Sequence, residues 1–186
     1  MDPESIRTLH AVVEALEQCG LRYAVSGSIA SAAHGEPRST HDCDLLVDLH
    51  PEKLPPFLER LKGRFHVEKQ TAVPAVQRHA SFSVTDMETL HKVDLFVADP
   101  NKPEDRNLLV RSRPIAIDAT GNPVFVSSAE DIVLRKLSWF RQGGETSDRQ
   151  WRDVQGVLKV QGDRLDHAYL EANARRMRVE DLLHKA

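Results

Sequence analysis

Cysteine is scarce: only Cys19 and Cys43 occur in 186 residues, and neither belongs to a CxxC pair. A disulfide framework and a cysteine-based zinc site therefore have no basis, and both thiols are expected to be reduced. Long apolar runs are missing too. Nothing approaches the ~20 residues that cross a bilayer, and Met1-Asp2-Pro3-Glu4-Ser5 lacks the basic and apolar regions of a secretory signal. The chain reads as cytoplasmic, with no membrane partner. A large charge of one sign is also absent. The formal net charge of −3 speaks against a protein coated in nucleic acid, while leaving room for local basic patches. What is present is the ordinary balance of a soluble globular protein, 40% hydrophobic and 28% charged residues, at a length that suits one compact unit or a core with a small helical appendage.

Ile6, Leu9, Val12, Val13 and Leu16 recur at helical spacing, and Gly20 stands where a left-handed cap is wanted, so the first element is a helix. A strand over 22–26 meets Gly27-Ser28, and Ile29 to Ala33 reads as a short helix. A polar stretch, His34 to His41, leads into a strand opening with Asp42-Cys43-Asp44. Pro51 starts a helix to about Lys62. Short strands are expected over 65–67, 80–84 and 90–97, the last two joined by a turn at 85–88, then over 114–118 and 123–126. Beyond Val126 the pattern is helical. Ser127-Ser128-Ala129-Glu130 fits a capping box, Gly143-Gly144 a stop, Ser147-Asp148-Arg149-Gln150 a second start, and two short helices follow Gly162. The sequence contains no internal repeat. The expected fold is α/β (α+β): a mixed β-sheet flanked by helices over 1–126, and a C-terminal helical segment over 127–186 that could merge with it.

The stretch from Gly27 to Val47 carries the chemistry. Gly27 has no side chain to block a phosphate, and Ser28 offers a hydroxyl and an amide at the positive end of a helix. Asp42 and Asp44, two apart on a strand, share a face and can share a metal, while Cys43 points the other way. Two carboxylates rarely satisfy a pair of divalent ions, and Asp94, between apolar residues of a neighbouring strand, is the expected third ligand. Oxygen ligands without clustered His or Cys favour Mg2+ or Mn2+ over zinc.

Gly27-Ser28, the spacer and Asp42-x-Asp44 resemble the signature of the polymerase-beta-type nucleotidyltransferase superfamily. The fuller string, with His34-Gly35, Arg38, Thr40, Asp42 and Asp44, is similar to the AbiE-type toxin nucleotidyltransferases and their uncharacterised bacterial relatives. Lys136 and Asp153 match a later helical Lys and Asp of those families, whereas Cys43 departs from their usual larger aliphatic residue. The resemblance implies transfer of a nucleoside monophosphate from an NTP to a hydroxyl of RNA, tRNA or protein, with an antitoxin as a further partner. It implies metal on Asp42, Asp44 and Asp94, triphosphate on Gly27, Ser28, Lys136 and Arg38, and Asp153 orienting Lys136 or the acceptor.

Plainer readings stand beside these. Gly27-Ser28 alone is an ordinary capped turn, Asp94 beside Lys92 a cross-strand pair, and Lys136 and Asp153 solvated helix faces. His41-Asp42 opens a strand, which sets aside an HD phosphohydrolase. Trp139 and Trp151 are expected to pack structurally, and Arg175-Arg176-Met177-Arg178 to be a solvated helix end. Two other functions remain open: a non-catalytic nucleotide- or partner-binding regulator, and an antibiotic nucleotidyltransferase.

Overall fold

The computed structural model describes residues 3–37 and 42–186. It begins with α1 (Pro3–Gln18), β1 (Tyr23–Val25), α2 (Gly27–His34) and β2 (Cys43–Val47). A short 3-10 turn over Pro51–Lys53 then leads into α3 (Leu54–Leu61), followed by β3 (Phe65–Val67), α4 (Lys69–Gln77), β4 (Ser81–Asp86) and β5 (Lys92–Val97). Next come α5 (Pro103–Arg111), β6 (Arg113–Ala116) and β7 (Pro123–Val126). Four helices close the chain: α6 (Ala129–Gln142), α7 (Asp148–Gln161), α8 (His167–Arg176) and α9 (Glu180–Lys185). The strands form one seven-stranded sheet in the order β3-β4-β5-β2-β1-β7-β6. It is mixed, as expected: β2 runs parallel to β5 and β1 to β7, and the other pairs are antiparallel.

Alternation along the central strands builds two different faces. Cys43, Leu45, Val47, Val93, Leu95 and Val97 are all buried in one large cluster with Leu9, Val12 and Leu16 of α1 and Phe57 of α3. The Cys43 thiol donates to the Ser5 carbonyl at 3.8 Å, so its small side chain lets α1 lie close to the sheet. On the other face Ala24 and Leu46 are capped by Leu108 of α5, with Phe96 packed beside them. That apolar cover stops short of the N-terminal ends of β2 and β5, where Asp44 and Asp94 share this face. Ile132, Val133 and Leu137 of α6 and Val154 and Val157 of α7 belong to the same large cluster as the strands, so one core crosses the point where strands give way to helices.

Two helices went unassigned in the sequence. α5 carries Pro103 at its start and Glu104 and Asp105 in its first turn, a complete start signal, but its low hydrophobic content hid it. α4 contains Pro74, which weakens any helical reading, yet the Glu68 carboxylate caps it by accepting from Gln70 N at 3.3 Å. Other boundaries shift. β4 runs through Thr85 and Asp86, both expected in the turn, because fully buried Asp86 anchors the hairpin by accepting from Thr8, Arg64 and the Glu88 amide. β5 starts at Lys92 because Leu90 takes a positive φ of 60°. The cap of α6 sits one residue later than the expected box, with Ser128 accepting from Asp131 N at 3.1 Å.

Candidate active site

β1 ends at Val25, and Ser26 N donates to Asp44 O at 2.8 Å, which ties the turn before α2 to the start of β2. Gly27 follows with φ +58°, and a Cβ there would lie 1.9 Å from Asp44 Oδ2. Only glycine fits, both for its backbone angle and because the carboxylate occupies the space a side chain needs. Ser28, largely buried, stands in the first turn of α2 on the wall of the same cleft.

Asp44 and Asp94 are register partners on parallel strands, so their carboxylates stand side by side. Ser83 Oγ, on the neighbouring strand β4, donates to Asp94 Oδ1 at 2.6 Å, which is the cross-strand contact of the plainer reading, and Lys92 Nζ, two residues away on β5 itself, lies 2.9 Å from Asp94 Oδ2. Asp42 precedes β2, and its Oδ2 is 3.8 Å from Arg149 Nη2. The three aspartates line one cleft of about 330 Å³ with Gly27, Ser28 and Lys136. Their oxygens do not all gather within 4.8 Å of one another; among the described residues, the trio of metal-ligand-type side chains that does is Glu171, Glu180 and His184, on the C-terminal helices. Burial, then the nearby Asp94 and Asp42 charges, push the Asp44 carboxyl up to about 6, against the lowering pull of Lys136 and Arg135. A cleft of hard carboxylates that repel one another has the donor chemistry of a Mg2+ or Mn2+ site.

Lys136 is 1% exposed, and its ammonium lies 2.8 Å from Asp153 Oδ2 and donates to Gln150 Oε1 at 2.9 Å. Lys136 and Asp153 thus form a buried bridge between α6 and α7 and are not solvated helix faces. Trp151 packs on Phe140 with ring centroids 5.1 Å apart, a core contact. Trp139 packs beside the Phe96 ring at 6.0 Å between centroids and also lines the aspartate cleft. Arg38 and Thr40 lie outside the described residues.

Arg149 and Gln150 escaped the sequence reading. The signal was available: Ser147 accepts from Gln150 N as the expected cap, and residues four and three before Asp153 share its helix face. His34 and Gly35 of the motif string have structural jobs. The His34 ring meets the Ser127 carbonyl at 2.7 Å, and a Cβ at Gly35 would come within 2.8 Å of Val157 N, so α2 and α7 cross there backbone against backbone.

No protein-family model and no curated protein matches the chain. Solved structures do. The antibiotic-resistance factor ANT(2'')-Ia in solution is 17% identical with a TM-score of 0.62, covering 100% of both chains. An antigenic nucleotidyltransferase-like protein from Paracoccidioides brasiliensis is 19% identical with a TM-score of 0.58, covering 99% of this chain and 94% of that one. LnuA, a lincosamide antibiotic adenylyltransferase with lincomycin bound, is 12% identical with a TM-score of 0.52, covering 86% of this chain and 98% of that one. At such identities the likeness is one of architecture: the mixed sheet, its flanking helices and the C-terminal helical segment form a nucleotidyltransferase-type fold.

Proposed function

We propose that this protein is a divalent-metal-dependent nucleotidyltransferase that moves a nucleoside monophosphate from an NTP to an acceptor hydroxyl and releases pyrophosphate. The observation that carries the reading is the pairing of Asp44 with Asp94 across parallel strands, opposite a glycine that has no room for a side chain beside Asp44. Gly27 keeps the phosphate approach open, and the amide and hydroxyl of Ser28 hold a phosphate oxygen at the N-terminus of α2. Asp94, steadied by Ser83, accepts the proton of the acceptor hydroxyl as its oxygen bonds to the α-phosphorus. The bond from that phosphorus to the β-phosphate bridging oxygen breaks, and the electron pair leaves with pyrophosphate. A divalent cation held by Asp42, Asp44 and Asp94 would lower the pKa of the acceptor hydroxyl and neutralise charge on the leaving group.

A small-molecule acceptor is the second reading. A cavity of about 250 Å³ between α5, α6 and α8 shares Trp139 with the aspartate cleft, and of the proteins of similar fold one is by name an antibiotic-resistance factor and another a lincosamide antibiotic adenylyltransferase. Because the motif string resembles that of AbiE-type toxin nucleotidyltransferases, an acceptor hydroxyl of RNA, tRNA or protein is the first reading. The test incubates the protein with Mg2+ and each labelled NTP against RNA, protein and hydroxylated small molecules, aminoglycosides and lincosamides included. Pyrophosphate release and a labelled acceptor, both lost in Asp44→Asn, are expected. NTP binding without metal dependence or turnover would instead mark a non-catalytic binding protein.

A further inference from the structure

The nucleotidyl-transfer reading, on which this inference rests, needs a cation against the triphosphate, and Lys136 is badly placed to be that cation. Its ammonium is held by Asp153 and Gln150, and moving it onto a phosphate would break a buried ion pair with Asp153, whose side chain is 7% exposed. Arg149 is in the opposite situation. Its side chain is 55% exposed, it lines the cleft that holds Ser28 and Asp44, and its link to Asp42 is long, 3.8 Å, between two exposed groups. Such a pair contributes little and exchanges readily.

The backbone under Arg149 is nevertheless fixed. Ser147 caps the first turn of α7 by accepting from Gln150 N, and Lys136 grips the Gln150 side chain. Buried Lys136 thereby acts as a positioning residue for the turn that presents Arg149 over the cleft. We propose that Arg149 is the triphosphate-binding residue of this site, held on Asp42 in the free protein and passed to the phosphates when Asp42 turns to the metal. The guanidinium fork suits phosphate oxygens, which can accept two parallel N–H bonds from it. The exchange makes nucleotide and metal binding mutually supportive: whatever occupies Asp42 frees Arg149 for phosphate.

The test uses inorganic tripolyphosphate with Mg2+ as one probe and Mn2+ alone as the other, both followed by calorimetry on the full chain. Arg149→Met is expected to bind tripolyphosphate about tenfold to a hundredfold more weakly, the effect of losing a charge-assisted contact, with Arg149→Lys between it and the wild type. Mn2+ alone should bind Arg149→Met as tightly as wild type or a few-fold tighter, because Asp42 has lost a competing cation. Equal tripolyphosphate binding by wild type and Arg149→Met overturns the assignment and leaves nucleotidyl transfer standing. Parallel loss of both probes overturns it in favour of a structural role. A wild type that binds neither tripolyphosphate nor any NTP removes the inference together with the reading beneath it.

Discussion

Lys136 Nζ lies 2.8 Å from Asp153 Oδ2, and the two side chains are 2% and 7% exposed. They join α6 and α7, two of the helices that line the aspartate cleft. Deleting one partner breaks this buried ion pair, which costs about 3–5 kcal/mol, whereas removing both costs far less. Asp153→Ala should therefore lower unfolding stability by about that amount. Combining it with Lys136→Met should recover much of the loss. Urea denaturation of the two single variants and the double variant forms the cycle, and strictly additive losses would refute a coupled pair.

That bridge marks how far the sequence could be read. The Gly27-Ser28 turn, the alternation that turns Asp44 from Cys43 and the strand carrying Asp94 follow from local rules, and the sheet bears them out. The contact between Lys136 and Asp153 depends on how α6 packs on α7, which periodicity cannot report, so the acid and the base were legible only as members of a motif. The same limit explains Arg149. Its helix start was readable from Ser147 and Gln150, but its reach to Asp42 joins elements more than a hundred residues apart. Gly35 carries the opposite lesson, since it reads as part of a functional signature yet serves the crossing of α2 and α7.

Asp44 gives a pH dependence whose sign can be worked out. Its carboxyl rises from 3.8 to about 6 in the folded protein, so the folded state binds the proton more tightly than the unfolded chain. Well below pH 4 the group is protonated in both states and costs nothing. Above about pH 6 the folded protein must hold it ionised, at a cost of about 1–3 kcal/mol after allowance for partial solvent access. With chelator present, Asp44→Asn should be more stable than wild type at pH 7.5, and the advantage should fade on acidification to pH 4. Urea melts at both values decide it; an Asn variant weaker than wild type at pH 7.5 contradicts the account.

Occupation of the cleft should reverse that cost. A divalent cation that binds the folded state alone stabilises it by mass action, and its positive charge relieves the repulsion among Asp42, Asp44 and Asp94. Millimolar Mn2+ should raise the melting temperature of the wild type by several degrees, on the order expected for about 1–2 kcal/mol. The shift should vanish in Asp44→Asn and shrink in Asp94→Asn. An equal shift in all three proteins would place the cation elsewhere, with Glu171, Glu180 and His184 as the group to replace next.

One substitution at two glycines separates the site from its scaffold. At Gly27 an added methyl meets Asp44 Oδ2 at 1.9 Å and must also accept φ +58°, so Gly27→Ala displaces the carboxylate or the turn. Gly35 has an ordinary negative φ of −126°, but its methyl would press on the backbone at Val157 N and Gly156 C, at 2.8 and 2.9 Å. Gly35→Ala should therefore act through packing, loosening α2 from α7 at about 1–3 kcal/mol. Gly27→Ala should lose about a hundredfold or more in pyrophosphate release, because a shift near 1 Å in the reacting groups is enough for that. Its stability cost, about 1–3 kcal/mol from the strained backbone, should resemble that of Gly35→Ala. Comparing pyrophosphate release at a temperature where both variants remain folded distinguishes them. If activity falls equally in the two, Gly27 is no more than another packing position, and the close approach to Asp44 has no special role in catalysis.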